Sequence, residues 1–237
     1  MHVVLCLPTY NERENLEPMV RALREVLPDG GRVLIIDDSS PDGTGELADR
    51  LATELDFVEV LHRPQKEGLG PAYLAGFRTA LSRGAELILQ MDCDFSHSPS
   101  DVPRLIEGAE KADLVLGSRY VKEGAVRNWR PFRRGLSNGA ALYTRALLMP
   151  IRDPTGGFKC FHRRVLEAID LDAISSRGYA FQIETTYRAL RAGFTVLEIP
   201  ITFADRELGG SKMSGAIVLE AIWKVPLLRV AALRGKL

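Results

Sequence analysis

Short apolar runs rich in β-branched residues alternate with longer amphipathic stretches through the first half of this chain, and that rhythm leaves few folds open. Residues 3–7, 33–36, 57–61, 85–91 and 114–117 read as strands, the second and fourth apolar enough to be buried on both faces. Helical patterns occupy 15–26, 70–81 and the stretch that follows Ser39-Ser40-Pro41-Asp42-Gly43-Thr44 to residue 55. Strands spaced by helices of this length pair in parallel through right-handed crossovers. The expected class is therefore α/β, with a mostly parallel central sheet flanked by helices. Beyond residue 117 the pattern loosens: 138–148 and 181–192 read as helices, 195–199 as a strand, and glycines at 135, 156, 157, 178, 209 and 210 punctuate the rest.

Polar residues gather where the strands end. The first run stops at Pro8-Thr9-Tyr10-Asn11-Glu12, the second at Asp37-Asp38, the fourth at Met91-Asp92-Cys93-Asp94. In an open α/β sheet, ligands bind in the crevice at the carboxyl ends of the strands. Several carboxylates placed there repel one another unless a cation or a donor-rich ligand joins them. A hard divalent ion prefers oxygen ligands and keeps substrate phosphates in its remaining positions. Asp92 and Asp94 could equally form a plain acidic turn, and Asp37 a cap for the turn after it. No G-x-x-x-x-G-K-[ST] loop is present and no G-x-G-x-x-G follows the first strand, so P-loop and dinucleotide sites lack their signature. Gly68-Leu69-Gly70 reads as a helix-entry turn.

Composition narrows the partners. The 237 residues carry 31 basic and 31 acidic side chains, without the basic excess of a nucleic-acid binder. Three widely spaced cysteines, Cys6, Cys93 and Cys160, point to free thiols in a reducing compartment. No signal-peptide pattern opens the sequence, and no uninterrupted apolar segment reaches the roughly 20 residues a membrane span requires. One domain in the cytoplasm is the expectation.

The motifs taken together resemble a known family. Pro8-Thr9-Tyr10-Asn11-Glu12, Asp37-Asp38-Ser39-Ser40-Pro41-Asp42-Gly43-Thr44, Asp92-x-Asp94 and Gly117-Ser118-Arg119-Tyr120 are similar to the inverting family 2 glycosyltransferases of the GT-A fold. Arg133-Arg134-Gly135-Leu136-Ser137, Asp153-Pro154-Thr155-Gly156-Gly157-Phe158-Lys159, Gly178-Tyr179-Ala180-Phe181-Gln182 and Gly210-Ser211-Lys212 narrow the resemblance to the polyprenyl- and dolichyl-phosphate mannose synthases, over roughly residues 3–215 in order. Residues 1–215 are then the catalytic domain and 216–237 a C-terminal amphipathic segment. The resemblance implies transfer of mannose from GDP-mannose to a polyprenyl monophosphate with inversion at the sugar carbon. Pro8, Thr9, Tyr10, Glu12, Asp38 and Cys93 are implied at the nucleotide. Asp92 and Asp94 are implied to hold Mg²⁺ or Mn²⁺, with Ser96 beside them. Cys93 departs from the alanine expected there. A lipid phosphate is already ionised near neutrality, so no general base is required. The difficulty is charge: two unit charges about 5 Å apart repel by roughly 3 kcal/mol at an effective dielectric of about 20. Arginine forks suit phosphate. Arg119 and Arg134 are implied at the acceptor phosphate, and Arg206 and Lys212 over the phosphates, on a glycine-rich lid at 207–212. Asp153 and Gln182 are expected near the sugar hydroxyls, although Asp153 could simply cap a turn.

Residues 217–234 are unusually apolar, with Trp223 central, Lys224, Arg229 and Arg234 interspersed, and Pro226 placed to break or kink a helix. They fit either an interfacial membrane helix or a helix packed on the core. Peripheral attachment to the cytoplasmic face of a membrane is expected, with a membrane-anchoring partner protein as a further option. A glucosyl or other lipid-phosphate transferase, a sugar-nucleotide-binding regulator and a nucleotidyltransferase remain competing readings.

Overall fold

The computed structural model describes residues 1–129, 131–205 and 215–235. In chain order it forms β1 (Val3–Thr9), α1 (Arg13–Arg24), β2 (Arg32–Asp37), α2 (Thr44–Glu54), β3 (Val58–His62), α3 (Leu69–Ser82), β4 (Leu87–Gln90), α4 (Val102–Gly108), β5 (Leu114–Ser118) and β6 (Ala125–Arg127). There follow α5 (Pro131–Leu147), β7 (Lys159–His162), α6 (Arg163–Ala168), α7 (Gly178–Arg191), β8 (Val196–Pro200), β9 (Thr202–Ala204) and α8 (Gly215–Leu233). Seven strands make the main sheet in the order β3-β2-β1-β4-β7-β5-β8, and β6 pairs with β9 in a small parallel ladder. Only β7 runs against its neighbours in the main sheet, so the expected mostly parallel α/β architecture is the one observed.

Alternation along β1 shows how the sequence builds three layers. Val3, Leu5 and Leu7 point to a core shared with α1, α2 and α4, while Val4 and Cys6 point to one shared with α3 and α7. Helix α3 lies close on the sheet at Gly76, where a Cβ would stand 2.7 Å from Ile36 Cδ1. All three cysteines are buried thiols outside any disulfide, and burial pushes those of Cys6 and Cys160 far above the ordinary range.

Strand order, more than packing, sets the site. From β1 the chain steps to β2 on one side and, later, to β4 on the other, which opens a crevice at their carboxyl edges. β7, which the apolar pattern did not reveal, inserts antiparallel between β4 and β5 and brings the Asp153–Phe158 segment to the same edge.

Two expectations about helices need correction. Helix α5 starts at Pro131 rather than near residue 138: Pro131 occupies its first position, where a missing N–H costs nothing. Pro226 does not break α8, which runs through it. The carbonyl left without its i+4 donor, that of Ile222, accepts instead from Tyr143 Oη of α5 at 3.0 Å. Val225, Leu228 and Ala232 of α8 are buried against the body, whereas Trp223, Leu227, Val230 and Leu233 are exposed. Among the described residues no helix is long and apolar enough to cross a membrane.

Candidate functional site

A cavity of about 420 Å³ occupies the crevice. Pro8, Thr9, Tyr10 and Glu12 enter it from the end of β1, Asp38 from β2, and Asp92, Cys93, Asp94 and Ser96 from β4. The three strand ends therefore meet, as their shared edge requires. Each turns sharply through a non-glycine residue at positive φ: Asn11 at 54°, Ser39 at 58° and Phe95 at 57°. Such backbone is uncommon outside glycine and persists where surrounding structure enforces it.

The acidic residues differ in what they can do. Asp37 caps its own turn, accepting from the Ser40 N–H at 3.1 Å and from Thr9 Oγ1 at 3.2 Å. Asp38 lines the cavity and pairs with the buried Arg63, which also reaches Glu67. Asp92 Oδ1 accepts from Tyr73 Oη at 2.9 Å, and Asp94 Oδ1 from the Ser96 N–H at 3.0 Å. Among the described residues no group of three His, Cys, Asp or Glu side chains is arranged to hold a metal. Two carboxylates and no further protein ligand fit a hard cation whose remaining positions are filled by phosphate and water, as Mg²⁺ prefers. The buried thiol of Cys93 between them is a soft donor of little use to such an ion.

On the basic side, the expected residues separate. Arg119 lines the cavity but is anchored beneath it: Nε donates to Asp153 Oδ2 at 2.7 Å, Nη2 to Asp153 Oδ1 at 2.5 Å and to Thr155 Oγ1 at 2.9 Å. Burial disfavours its charge, yet Asp153 outweighs that and holds the guanidinium pKa above its usual value. Asp153 is fully buried, accepts the Arg119 N–H as well, and does not line the cavity; its expected place at sugar hydroxyls gives way to an ion pair. Arg134, expected at the acceptor phosphate, is exposed on α5 and away from the cavity lining, whereas its neighbour Arg133 lines it. Arg133 lies over the Trp129 ring, 4.6 Å from the centroid, and pairs with Asp205 at 2.6 Å. Arg130, Arg206, Lys212 and the expected lid at 207–212 lie outside the described residues.

Sequence reasoning missed four groups. Tyr73 and Arg63 stand behind the acidic residues, and Lys66 sits 3.7 Å over the Tyr10 ring at the rim. His97 lines the cavity, stacked 5.1 Å from Phe158 and edge-on to Phe203, with its Nδ1 buried and unpartnered. Burial holds its pKa down at about 4, against the opposing pull of Asp94. Only His97, three residues past the paired acids, gave a signal that could have been read. Gly68 is the helix entry expected of it, at φ 102°.

Comparison with known proteins agrees with this fold. The family model described as "Glycosyl transferase family 2" matches residues 4–170. The chain is 48% identical over 233 residues to an undecaprenyl-phosphate mannosyltransferase of Micrococcus luteus, covering 98% of this chain and 96% of that protein. It is 51% identical over 226 residues to a polyprenol monophosphomannose synthase of Mycolicibacterium smegmatis, covering 94% and 84% respectively. Among solved structures, glucosyl-3-phosphoglycerate synthase from Mycobacterium tuberculosis, in complex with Mn²⁺ and UDP-glucose, superposes with a TM-score of 0.71 at 18% identity, covering 96% of this chain and 79% of that one. A mannosyltransferase from Pyrobaculum calidifontis in complex with GDP-Man and Mn²⁺ gives 0.60, also at 18%, covering 98% and 74%. These two share the fold with the present chain.

Proposed function

The chain belongs to glycosyl transferase family 2 and has the GT-A architecture, and from that premise we propose that it transfers mannose from GDP-mannose to a polyprenyl monophosphate, releasing GDP and inverting the sugar carbon. One observation carries the reading: paired carboxylates, Asp92 and Asp94, and three arginines, Arg119, Arg133 and Arg177, line a single cavity. The relatives' names support the mannosyl group and the polyprenyl acceptor, and the resemblance of the motifs suggests GDP-mannose as the donor.

Each side chain has a task in that reaction. Pro8, Thr9, Tyr10, Glu12 and Asp38 bound the nucleoside, with Arg63 fixing the Asp38 carboxylate so that it can accept from the donor's hydroxyl or base N–H groups. Asp92 and Asp94 would hold Mg²⁺ or Mn²⁺, which when bound neutralises the charge gathering on the departing diphosphate. Arg119, locked on Asp153, presents a fixed positive charge at the cavity wall. Arg133, part exposed and braced on Trp129, is placed to take the acceptor phosphate where the lipid enters. The acceptor arrives ionised, so nothing in the chain needs to remove its proton. The exposed apolar residues of α5, the helix that carries Arg133, and of α8, which contacts it, would rest on the membrane holding the lipid.

The test offers purified protein radiolabelled GDP-mannose, competing sugar nucleotides, polyprenyl phosphate and metal, then extracts into organic solvent. Label in the lipid phase from GDP-mannose alone, lost with chelator and β-linked in the product, is the expected result. Label from another sugar nucleotide corrects the donor. A retained anomer overturns the single displacement. Donor binding without any transfer makes the chain a sugar-nucleotide-binding protein.

A further inference from the structure

Arg119 and Arg133 lie over the same ring at the cavity wall and differ in what neutralises them. Their guanidinium carbons stand 5.4 and 4.6 Å from the centroid of Trp129, and each has its own carboxylate. Asp153, the partner of Arg119, is fully buried and accepts from Nε, Nη2 and the main-chain N–H. Asp205, the partner of Arg133, accepts one hydrogen bond, from Nη1 at 2.6 Å, and its side chain is 36% exposed. A carboxylate enclosed like Asp153 cannot leave its partner without creating an uncompensated buried charge. One that borders water can turn outward and be hydrated at once, so its ion pair is cheap to break.

Asp205 stands outside the cavity that Arg133 and Phe203 line. It follows β9, and its own N–H donates to the Arg127 carbonyl at 3.2 Å, which pins the backbone and leaves the side chain to reach across to α5. The ring of Trp129 supports the Arg133 cation without neutralising it. Taking the carboxylate away therefore leaves the arginine on its ring, with its N–H groups open to an anion inside the cavity. A phosphate monoester is the stronger partner. It carries about −1.5 to −2 charge near neutrality and three acceptor oxygens, two of which a guanidinium fork takes side by side. The single, part-exposed bond to Asp205 shifts an equilibrium by only about fivefold at most.

We infer that Asp205 is a displaceable placeholder for the acceptor's phosphate: in the empty site it neutralises Arg133, and an arriving phosphate monoester takes its place while the carboxylate turns to water. The inference rests on the proposed reading, in which Arg133 takes the acceptor, and it adds how that site is kept selective. A bare guanidinium at the mouth would hold any small anion. With Asp205 in place, a ligand must bind Arg133 better than a carboxylate does before it enters, so weak anions are excluded by competition rather than by shape.

The chain has two tryptophans, so Trp223→Phe leaves Trp129 as a single indole reporter beside Arg133. In that background the parent, Asp205→Asn and Asp205→Glu are titrated with inorganic phosphate and with a short, water-soluble polyprenyl phosphate while Trp129 emission is followed. Calorimetry gives the affinity of each for GDP with metal present. Asp205→Asn should bind both phosphates at least about threefold more tightly, within what an exposed pair supplies, while Asp205→Glu stays near the parent. GDP affinity should be the same in all three. The ester should bind more tightly than inorganic phosphate; equal affinities would make the ligand a free phosphate ion and overturn the acceptor's claim to the site. Looser or unchanged phosphate binding in Asp205→Asn would make Asp205 a support for Arg133 and overturn the inference. So would phosphate binding that leaves Trp129 emission unmoved. Sugar transfer is read separately: a parent that binds the ester at Trp129 yet transfers nothing counts against the proposed activity, and the titrations still decide the role of Asp205.

Discussion

A carboxylate serves a cation well only if it is held, and Asp92 is held by a residue whose ring is packed among other aromatic rings. Tyr73 is fully buried, its ring stacked 6.0 Å from Phe181 and 5.9 Å from Phe77, so that only the hydroxyl reaches out to Asp92 Oδ1. Burial, then the nearby Asp92 charge, raises the phenol pKa well above its usual value, so it remains a donor. Outer partners of this kind typically contribute about 10–100-fold to metal affinity. Tyr73→Phe keeps the ring and removes the hydroxyl. It should raise the metal concentration needed for half-maximal activity about tenfold while activity at saturating metal stays near the parent's; an unchanged metal titration would sink the idea. Tyr73 also shows where sequence reading stops. Asp92 and Asp94 were legible because polar groups at the end of an apolar run have no core to join. Tyr73 sits inside a pattern that reads as core, and nothing local says that one atom of it serves the site. Arg134 was preferred to Arg133 for a similar reason: adjacent arginines on a helix point about 100° apart, and only the helix's placement decides which one meets the cavity.

At the scale of elements, the strands and helices of the first half stood out because each obeys its own period. The second half did not, because its glycines and prolines carry meanings set by partners. Gly135 reads as punctuation yet lies within α5, and Pro226 lies within α8 because Tyr143 supplies a donor to the carbonyl it leaves unpaired. Helix α8 in turn bears apolar residues on both faces. Val225, Leu228 and Ala232 face the body, and the Arg177 N–H and Lys224 Nζ fasten the helix through Glu220 and Ser175 at 2.7 and 2.8 Å. Trp223, Leu227 and Val230 are exposed, as are Leu142 and Leu147 of α5, the helix in contact with α8. The two alternatives for this segment are therefore compatible: one face packs, and the other is open to a lipid surface. The double change Trp223→Glu with Leu227→Glu should abolish co-sedimentation with vesicles carrying polyprenyl phosphate. Transfer to a short, water-soluble polyprenyl phosphate should persist. Undiminished vesicle binding would place the contact elsewhere.

The molecule as a whole balances its charge on paper and distributes it unevenly. Acidic residues line the crevice from three strands, while beneath them Lys159 is fully buried in the middle of the sheet with neutral oxygens for its hydrogen bonds. Burial lowers its pKa from 10.5 to about 7, with Asp153 pulling the other way. The consequence for stability has a definite sign. Below about pH 7 the lysine is protonated in both states, and the folded protein bears the full cost of an ammonium group removed from water. Between pH 7 and 10.5 the unfolded chain still binds that proton and the folded one does not, so this residue's contribution to stability rises with pH. The slope approaches about 1.4 kcal/mol per pH unit in the middle of the window. Lys159→Met removes the titration while filling most of the volume. Urea unfolding of parent and variant at pH 7, 8 and 9 should therefore give lines that diverge, the parent gaining on the variant as the pH rises. Parallel lines would mean that the ammonium stays charged throughout, stabilised where it lies by the acidic crevice above it, and the electrostatics of site and core would have to be treated as one system.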